Sequence, residues 1–97
     1  MTLTGHTGYV FSVAFHPTDP LILATGSWDK TAKIWNVETG GCIGTLEDTN
    51  YVNSVAFHPT NPTLITGCQD KTAKIWNVGG AQFKILQRRF ESKFGAA

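Results

Sequence analysis

Residues Tyr9 to Val37 read YVFSVAFHPTDPLILATGSWDKTAKIWNV, and residues Tyr51 to Val78 read YVNSVAFHPTNPTLITGCQDKTAKIWNV. With one gap placed at Ala24, 21 of 28 paired positions are identical. The offset is 42 from Val10 to Val52 and 41 from Trp35 to Trp76. An internal period near 40 residues leaves two architectures, arrays of helical pairs or four-stranded propeller blades.

The residues choose between them. Each copy holds short apolar runs rich in β-branched and aromatic residues, separated by turn formers. Val10 to Phe15 is stopped by His16-Pro17, and Pro17 with Pro20 excludes a helix there. Leu21 to Thr25 follows, then Gly26-Ser27-Trp28-Asp29-Lys30 as a tight turn, then an alternating run from Thr31 to Val37. Gly40-Gly41 breaks the chain before a fourth, weaker strand at Cys42 to Leu46. The second copy predicts strands at Val52 to Phe57, Thr63 to Thr66, Thr72 to Val78 and Gln82 to Leu86, with Gly79-Gly80 as its break. The expected fold is therefore all-β: two four-stranded antiparallel blades, a partial propeller, with a short basic C-terminal tail. Blade 1 takes residues 3–46, blade 2 residues 47–86 and the tail residues 87–97.

Composition narrows the function classes. The chain has 97 residues, a net charge of +1, 41% apolar residues and only 15% charged ones. Near-neutrality argues against a nucleic-acid partner, which calls for a dense basic face. No apolar run reaches the roughly 20 residues of a membrane-spanning helix, and the opening Met1-Thr2-Leu3-Thr4-Gly5 lacks the blocks of a secretory signal. Cys42 and Cys68 show neither CxxC spacing nor a nearby His pair. Neither a metal site nor a disulfide scaffold is expected, and no cofactor. The expected setting is intracellular, cytoplasmic or nuclear.

Gly5-His6, then about thirty residues, then Ile34-Trp35-Asn36, with Asp29 six residues before Trp35, resembles the WD-repeat β-propeller family. The resemblance covers residues 3 to about 86; the final acid of the motif is Asn in both copies (Asn36, Asn77). It implies a hydrogen-bonded set of His6, Thr25, Asp29 and Trp35 in the first copy and of Thr66, Asp70 and Trp76 in the second. The chemistry is sensible unaided, since a buried indole N–H needs an acceptor and an aspartate can fix an imidazole tautomer. In the second copy Gly-His becomes Glu47-Asp48, read as carrying a one-residue deletion. Its set is therefore expected to be incomplete and its blade the less stable.

A His6–Asp29–Thr25 cluster also invites an enzyme reading, with Thr25 as nucleophile. Nucleophile activation needs an accessible site and a stabiliser for the developing oxyanion. The same Thr and Asp recur in a copy without the His, as tethers do and catalytic triads do not, so no enzymatic activity is expected. His16 and His58, each before a proline, read as turn residues.

Where the copies differ, the scaffold leaves the residue free. The differences include Phe11/Asn53, Ser27/Cys68, Trp28/Gln69, Asp19/Asn61 and Leu21/Thr63. In propellers of this kind, the start of the first strand and the residue before the turn aspartate lie on the partner-binding face. The candidate partner-binding residues are Tyr9, Phe11 and Trp28 in blade 1 and the more polar Tyr51, Asn53 and Gln69 in blade 2. Clustered aromatics suit an interface, and equally suit packing against a neighbouring blade. Residues 81–97 carry Lys84, Arg88, Arg89 and Lys93 against Glu91 alone, a net +3, and read as a strand to Leu86 followed by a solvated tail.

The leading expectation is a protein-interaction scaffold that binds a protein or peptide. Propellers close with roughly four to eight blades, so two blades leave faces open. They are expected to belong to a longer propeller, to a homo-oligomer that closes a ring, or to a larger enzyme or signalling protein.

Overall fold

The structure is a computed structural model and describes residues 1–78. Its elements are seven strands: β1 (Val10–Phe15), β2 (Ile22–Ser27), β3 (Thr31–Asn36), β4 (Gly41–Glu47), β5 (Val52–Phe57), β6 (Thr63–Cys68) and β7 (Ala73–Asn77). They form two antiparallel meanders, β1-β2-β3-β4 and β5-β6-β7. No helix occurs among the described residues. The strand expected at Gln82 to Leu86 and the tail lie outside them.

The proline stops place the ends of β1 and β5 where the sequence predicts. His16 and His58 act as turn residues: the Nδ1 of His16 accepts the Thr18 and Asp19 amides at 3.2 and 3.0 Å. His58 does the same for Thr60 and Asn61, at 3.0 Å each. Two readings change. First, β2 runs on through Gly26 and Ser27, so the turn is the three-residue loop Trp28-Asp29-Lys30. A type I turn closes it through the Lys30 amide to the Ser27 carbonyl (3.3 Å), and Lys30 then takes φ 72°. Lys71 takes the same φ in the matching loop of the second sheet. This is the loop type that joins twisted antiparallel strands with one left-handed residue. Second, the gap between the copies does not fall at Ala24. Leu23 pairs with Trp35 as Leu64 pairs with Trp76, so Leu23 matches Leu64 and Ala24 matches Ile65. The missing residue lies in the loop before β6, where Val78 bonds to the Pro62 carbonyl as Val37 bonds to that of Leu21.

Each sheet has two unlike faces. In the first, Val13, Thr25 and Lys33 share a face with Leu23 and Trp35, whereas Ala14, Ala24, Gly26, Ala32 and Ile34 share the other. The corresponding tryptophan face of the second sheet carries Val55, Phe57, Leu64, Thr66 and Trp76. The core forms where the alanine face of the first sheet meets the tryptophan face of the second. Ala24, Ala32, Ile34, Leu46, Val52, Leu64 and Trp76 are buried together there. Trp35 is also buried, but outside that cluster, on the opposite face of its sheet.

The joint is tight at one point. A Cβ on Gly26 would lie 2.7 Å from a Val52 methyl and 3.0 Å from one of Val55. The Val55 amide reaches across to the Ser12 hydroxyl at 3.1 Å, and the His16 ring packs on Phe57 at 5.1 Å. With a side chain at position 26 the two backbones could not approach, and Val52 would not be sealed from water, which is worth about 1.5–3 kcal/mol for such a residue.

Gly26→Ala should therefore destabilise the chain by about 1–3 kcal/mol through overpacking. Urea unfolding followed by circular dichroism checks this, and a loss no larger than that of an exposed strand substitution would contradict the joint described.

Candidate functional site

Two polar networks hold the loops that carry the site. In the first sheet, the Trp35 indole N–H donates to the Thr25 hydroxyl at 2.9 Å. That hydroxyl donates in turn to His6 Nε2 at 2.6 Å, and His6 Nδ1 bonds to Asp29 at 2.8 Å. Because an ionised carboxylate can only accept, Nδ1–H is the donor to Asp29, and Nε2 is left to accept the Thr25 hydroxyl proton. Asp29 also accepts the Thr7 amide and the Thr31 hydroxyl and amide. The network thus ties residues 5–9 to the β2–β3 loop. Burial opposes ionisation of Asp29, but hydrogen bonds from Thr31, His6 and the Thr7 amide outweigh it and lower its pKa from 3.8 to about 2. Thr25 is buried and engaged on both sides, leaving its hydroxyl no approach for a substrate.

The second network is not the incomplete one that the sequence suggests. Counting at the constant offset of 42, no residue is missing, and Asp48 takes the place of His6. The Trp76 indole N–H donates to Thr66 at 3.0 Å, and the Thr66 hydroxyl donates to Asp48 at 3.0 Å. The Asp48 side chain is fully buried, and Lys74 reaches it at 2.6 Å. Burial again disfavours the charge, yet hydrogen bonds from Lys74, the Thr49 amide and Thr66 hold the Asp48 carboxyl below the ordinary value. Asp70 sits outside the Trp76–Thr66–Asp48 line. It accepts the Thr49 and Thr72 hydroxyls, which lower its carboxyl pKa, the Thr49 bond most. Sequence reasoning missed Asp48 and Lys74. The offset alone points to Asp48; nothing marks Lys74, whose counterpart Lys33 bonds only to Thr45 at 3.0 Å.

All six candidate partner-binding residues converge on one end of the joint. β1 and β5 each carry an irregularity after their first residue, between Val10 and Ser12 and between Val52 and Ser54. Such bulges re-aim the extra side chain, here Phe11 and Asn53. Trp28 and Gln69 open the two β2–β3-type loops, whose amides bond to the Tyr9 and Tyr51 carbonyls. Gly8 permits the close pass of this segment, since a Cβ there would lie 2.8 Å from the Asp29 amide nitrogen.

The result is a ladder rather than two separate sets. Trp28 lies between Phe11, with ring centroids 4.4 Å apart, and Tyr51, stacked at 5.0 Å and 17°. Tyr9 meets the edges of Phe11 and Trp28 at 6.2 and 6.0 Å. The Trp28 indole donates to Asn53 at 3.2 Å, and the Asn53 amide donates to Gln69 at 2.6 Å. Trp28 and Tyr51 thus pack one blade on the other. Yet Tyr9 stays 73% exposed and Phe11 48%. Among the described residues no cluster of His, Cys, Asp or Glu is arranged to hold a metal.

Two outcomes follow from the networks. Lys74→Met should cost about 1–3 kcal/mol because it strands a buried carboxylate, less than in a fully buried pair since Lys74 is partly exposed. Lys33→Met, at the same place in the other blade, should change stability by no more than about 0.5 kcal/mol; equal losses in urea titrations would contradict the assignment. Asp29 has a folded pKa below its unfolded one, so its contribution is present above the unfolded value and fades as pH falls through the folded one. Asp29→Asn should therefore be less stable than the wild type by about 1–3 kcal/mol near neutrality. That gap should close between about pH 4 and pH 2; thermal melts giving a constant gap would refute it.

Comparison with known proteins agrees with the blade pattern. The profile of the WD domain, G-beta repeat, matches residues 1–36 and 40–77. The nuclear distribution protein PAC1 of Komagataella phaffii is 45% identical over 42 residues, 43% of this chain and 8% of that protein. Mouse coronin-7 is 47% identical over 38 residues, 39% of this chain and 4% of that protein. Subunit I of eukaryotic translation initiation factor 3 from Aspergillus niger is 50% identical over 42 residues, 43% of this chain and 12% of the subunit. The chain matches only a small part of each relative's length. With the profile matched twice in register over most of its residues, the chain belongs to the WD-repeat family.

Proposed function

We propose that the chain is a non-catalytic protein-interaction module, two four-stranded blades of a β-propeller completed by further blades. The observation that carries this reading is the aromatic ladder. Four rings and an Asn–Gln pair gather at one end of the blade joint, with Tyr9 and Phe11 left largely uncovered. Interfaces draw their binding energy from rigid aromatic anchors of this sort. The ladder carries no charged side chain, so the partner segment it suits is a neutral or apolar stretch of protein or peptide, not a nucleic acid.

The relatives support the same class. One is by name a subunit of an initiation factor, thus part of an assembly, and another a nuclear distribution protein. A cytoplasmic or nuclear setting fits such roles. Catalysis has little support, because the one cluster resembling a triad spends its hydroxyl on the Trp35 indole and His6.

Trp28 also bridges the blades, so removing it confuses binding with folding. The cleaner variant is Tyr9→Ala with Phe11→Ser. Proteins captured by the wild-type chain in a pull-down should lose at least about tenfold in recovery, the scale of a lost anchor. The melting temperature should stay within a few degrees. Undiminished capture of the same proteins would refute the reading.

A further inference from the structure

Identical residues meet opposite fates in the two blades. Val52 and Val55 are 0% and 6% exposed at the joint, whereas their counterparts Val10 and Val13 are 48% and 63% exposed. Ile34 is fully buried, and its counterpart Ile75 is 44% exposed. Phe57 packs against the core while Phe15 is 67% exposed. The β1 and β5 pairs have the same register within their sheets and differ in whether a second sheet faces them. Ile34 has β4 beside it as well, a strand with no counterpart beside Ile75 among the described residues.

Among the described residues, the two faces left open are copies of the two joined ones. The first sheet leaves open a tryptophan face with Val10, Val13 and Phe15, the residues that dock as Val52, Val55 and Phe57. The second leaves open an alanine face with Ser54, Ala56, Gly67 and Ile75, the residues that receive them as Ser12, Ala14, Gly26 and Ile34. Gly67 is especially informative. A Cβ there would meet only the Ser54 Cβ, at an ordinary 3.5 Å, so nothing within the described residues requires a glycine. The same position in the joined sheet, Gly26, has no room for one.

We infer that the open alanine face of the second sheet is a docking socket for the open tryptophan face of a second copy of this chain. The inference rests on the reading that these sheets are propeller blades. The contact repeats the internal joint: Val10 and Val13 seat over Gly67, the Ser54 hydroxyl accepts the Val13 amide, and His58 packs on Phe15. Thr63 and Ile65 stand where Ile22 and Ala24 do, which makes this joint less close-fitting than the internal one. Because unlike faces meet, the association is head to tail and continues until a ring closes.

Sedimentation of the full 97-residue chain over a wide concentration range tests this. The wild type is expected at twice the monomer mass or more. Gly67→Val, or Ala56→Arg in case the valine disturbs the strand, blocks the socket; Val13→Glu with Phe15→Glu blocks the opposing face. Each variant alone is expected to be a monomer with unchanged near-ultraviolet circular dichroism. Mixing one socket variant with the face variant should restore a 1:1 pair and nothing larger, since each keeps one intact face. A wild-type chain that stays monomeric throughout overturns the inference, as does an assembly that survives both classes of variant. Tyr9 and Phe11 stand where Tyr51 and Asn53 meet Trp28 across the internal joint, so Ala56→Arg separates the two readings: it leaves both rings in place and should abolish assembly without loss of capture.

Discussion

The two sheets touch because position 26 has no side chain. Backbone approach at Gly26 lets Val52 and Val55 enter the alanine face of the first sheet. From that contact follow the burial of Ile34 and Leu64, the bond from the Val55 amide to Ser12, and the meeting of Trp28 with Tyr51. The candidate interaction surface is thus a product of the joint and not of either blade alone. A blade in isolation would carry three aromatics or one; joined, they form a ladder of four.

Within each sheet the fixed element is a buried indole N–H that must find an acceptor, and a threonine hydroxyl fills the role in both. Beyond that hydroxyl the networks diverge. The first passes to an imidazole backed by Asp29. The second passes to a buried carboxylate, whose charge Lys74 offsets. An imidazole nitrogen and a paired carboxylate solve the same problem, because either can accept the threonine proton and anchor the segment before the first strand. The exchange shifts the electrostatic burden to a lysine that the first blade leaves on Thr45.

Much of this was legible in the residues. Pro17 and Pro59 stop the first strand of each blade, and the repeat period with its turn formers selects sheets over helices. The end of β2 was not, because Gly26 and Ser27 look like turn residues when their neighbours are considered alone. Gly26 is instead a strand glycine demanded by contact with β5, a requirement that exists only in three dimensions. The role of Asp48 was obscured by reading a deletion where the offset of 42 persists. Lys33 and Lys74 lie in identical sequence, Asp-Lys-Thr-Ala-Lys, so only the buried charge across from Lys74 separates them. The six candidate surface residues were visible as differences between copies, but their convergence follows from the bulges after Val10 and Val52 together with the joint.

The chain carries its own reporters for the claim that one joint unites both blades. Each of its three tryptophans donates its indole N–H to a different place: Trp35 to Thr25 in the first blade, Trp76 to Thr66 in the second and Trp28 to Asn53 across the joint. Nuclear magnetic resonance can follow these three signals separately through a denaturant titration. A single cooperative unit loses all of them at one midpoint. Loss of the Trp28 signal first, with the Trp35 and Trp76 networks persisting to separate midpoints, would contradict the account.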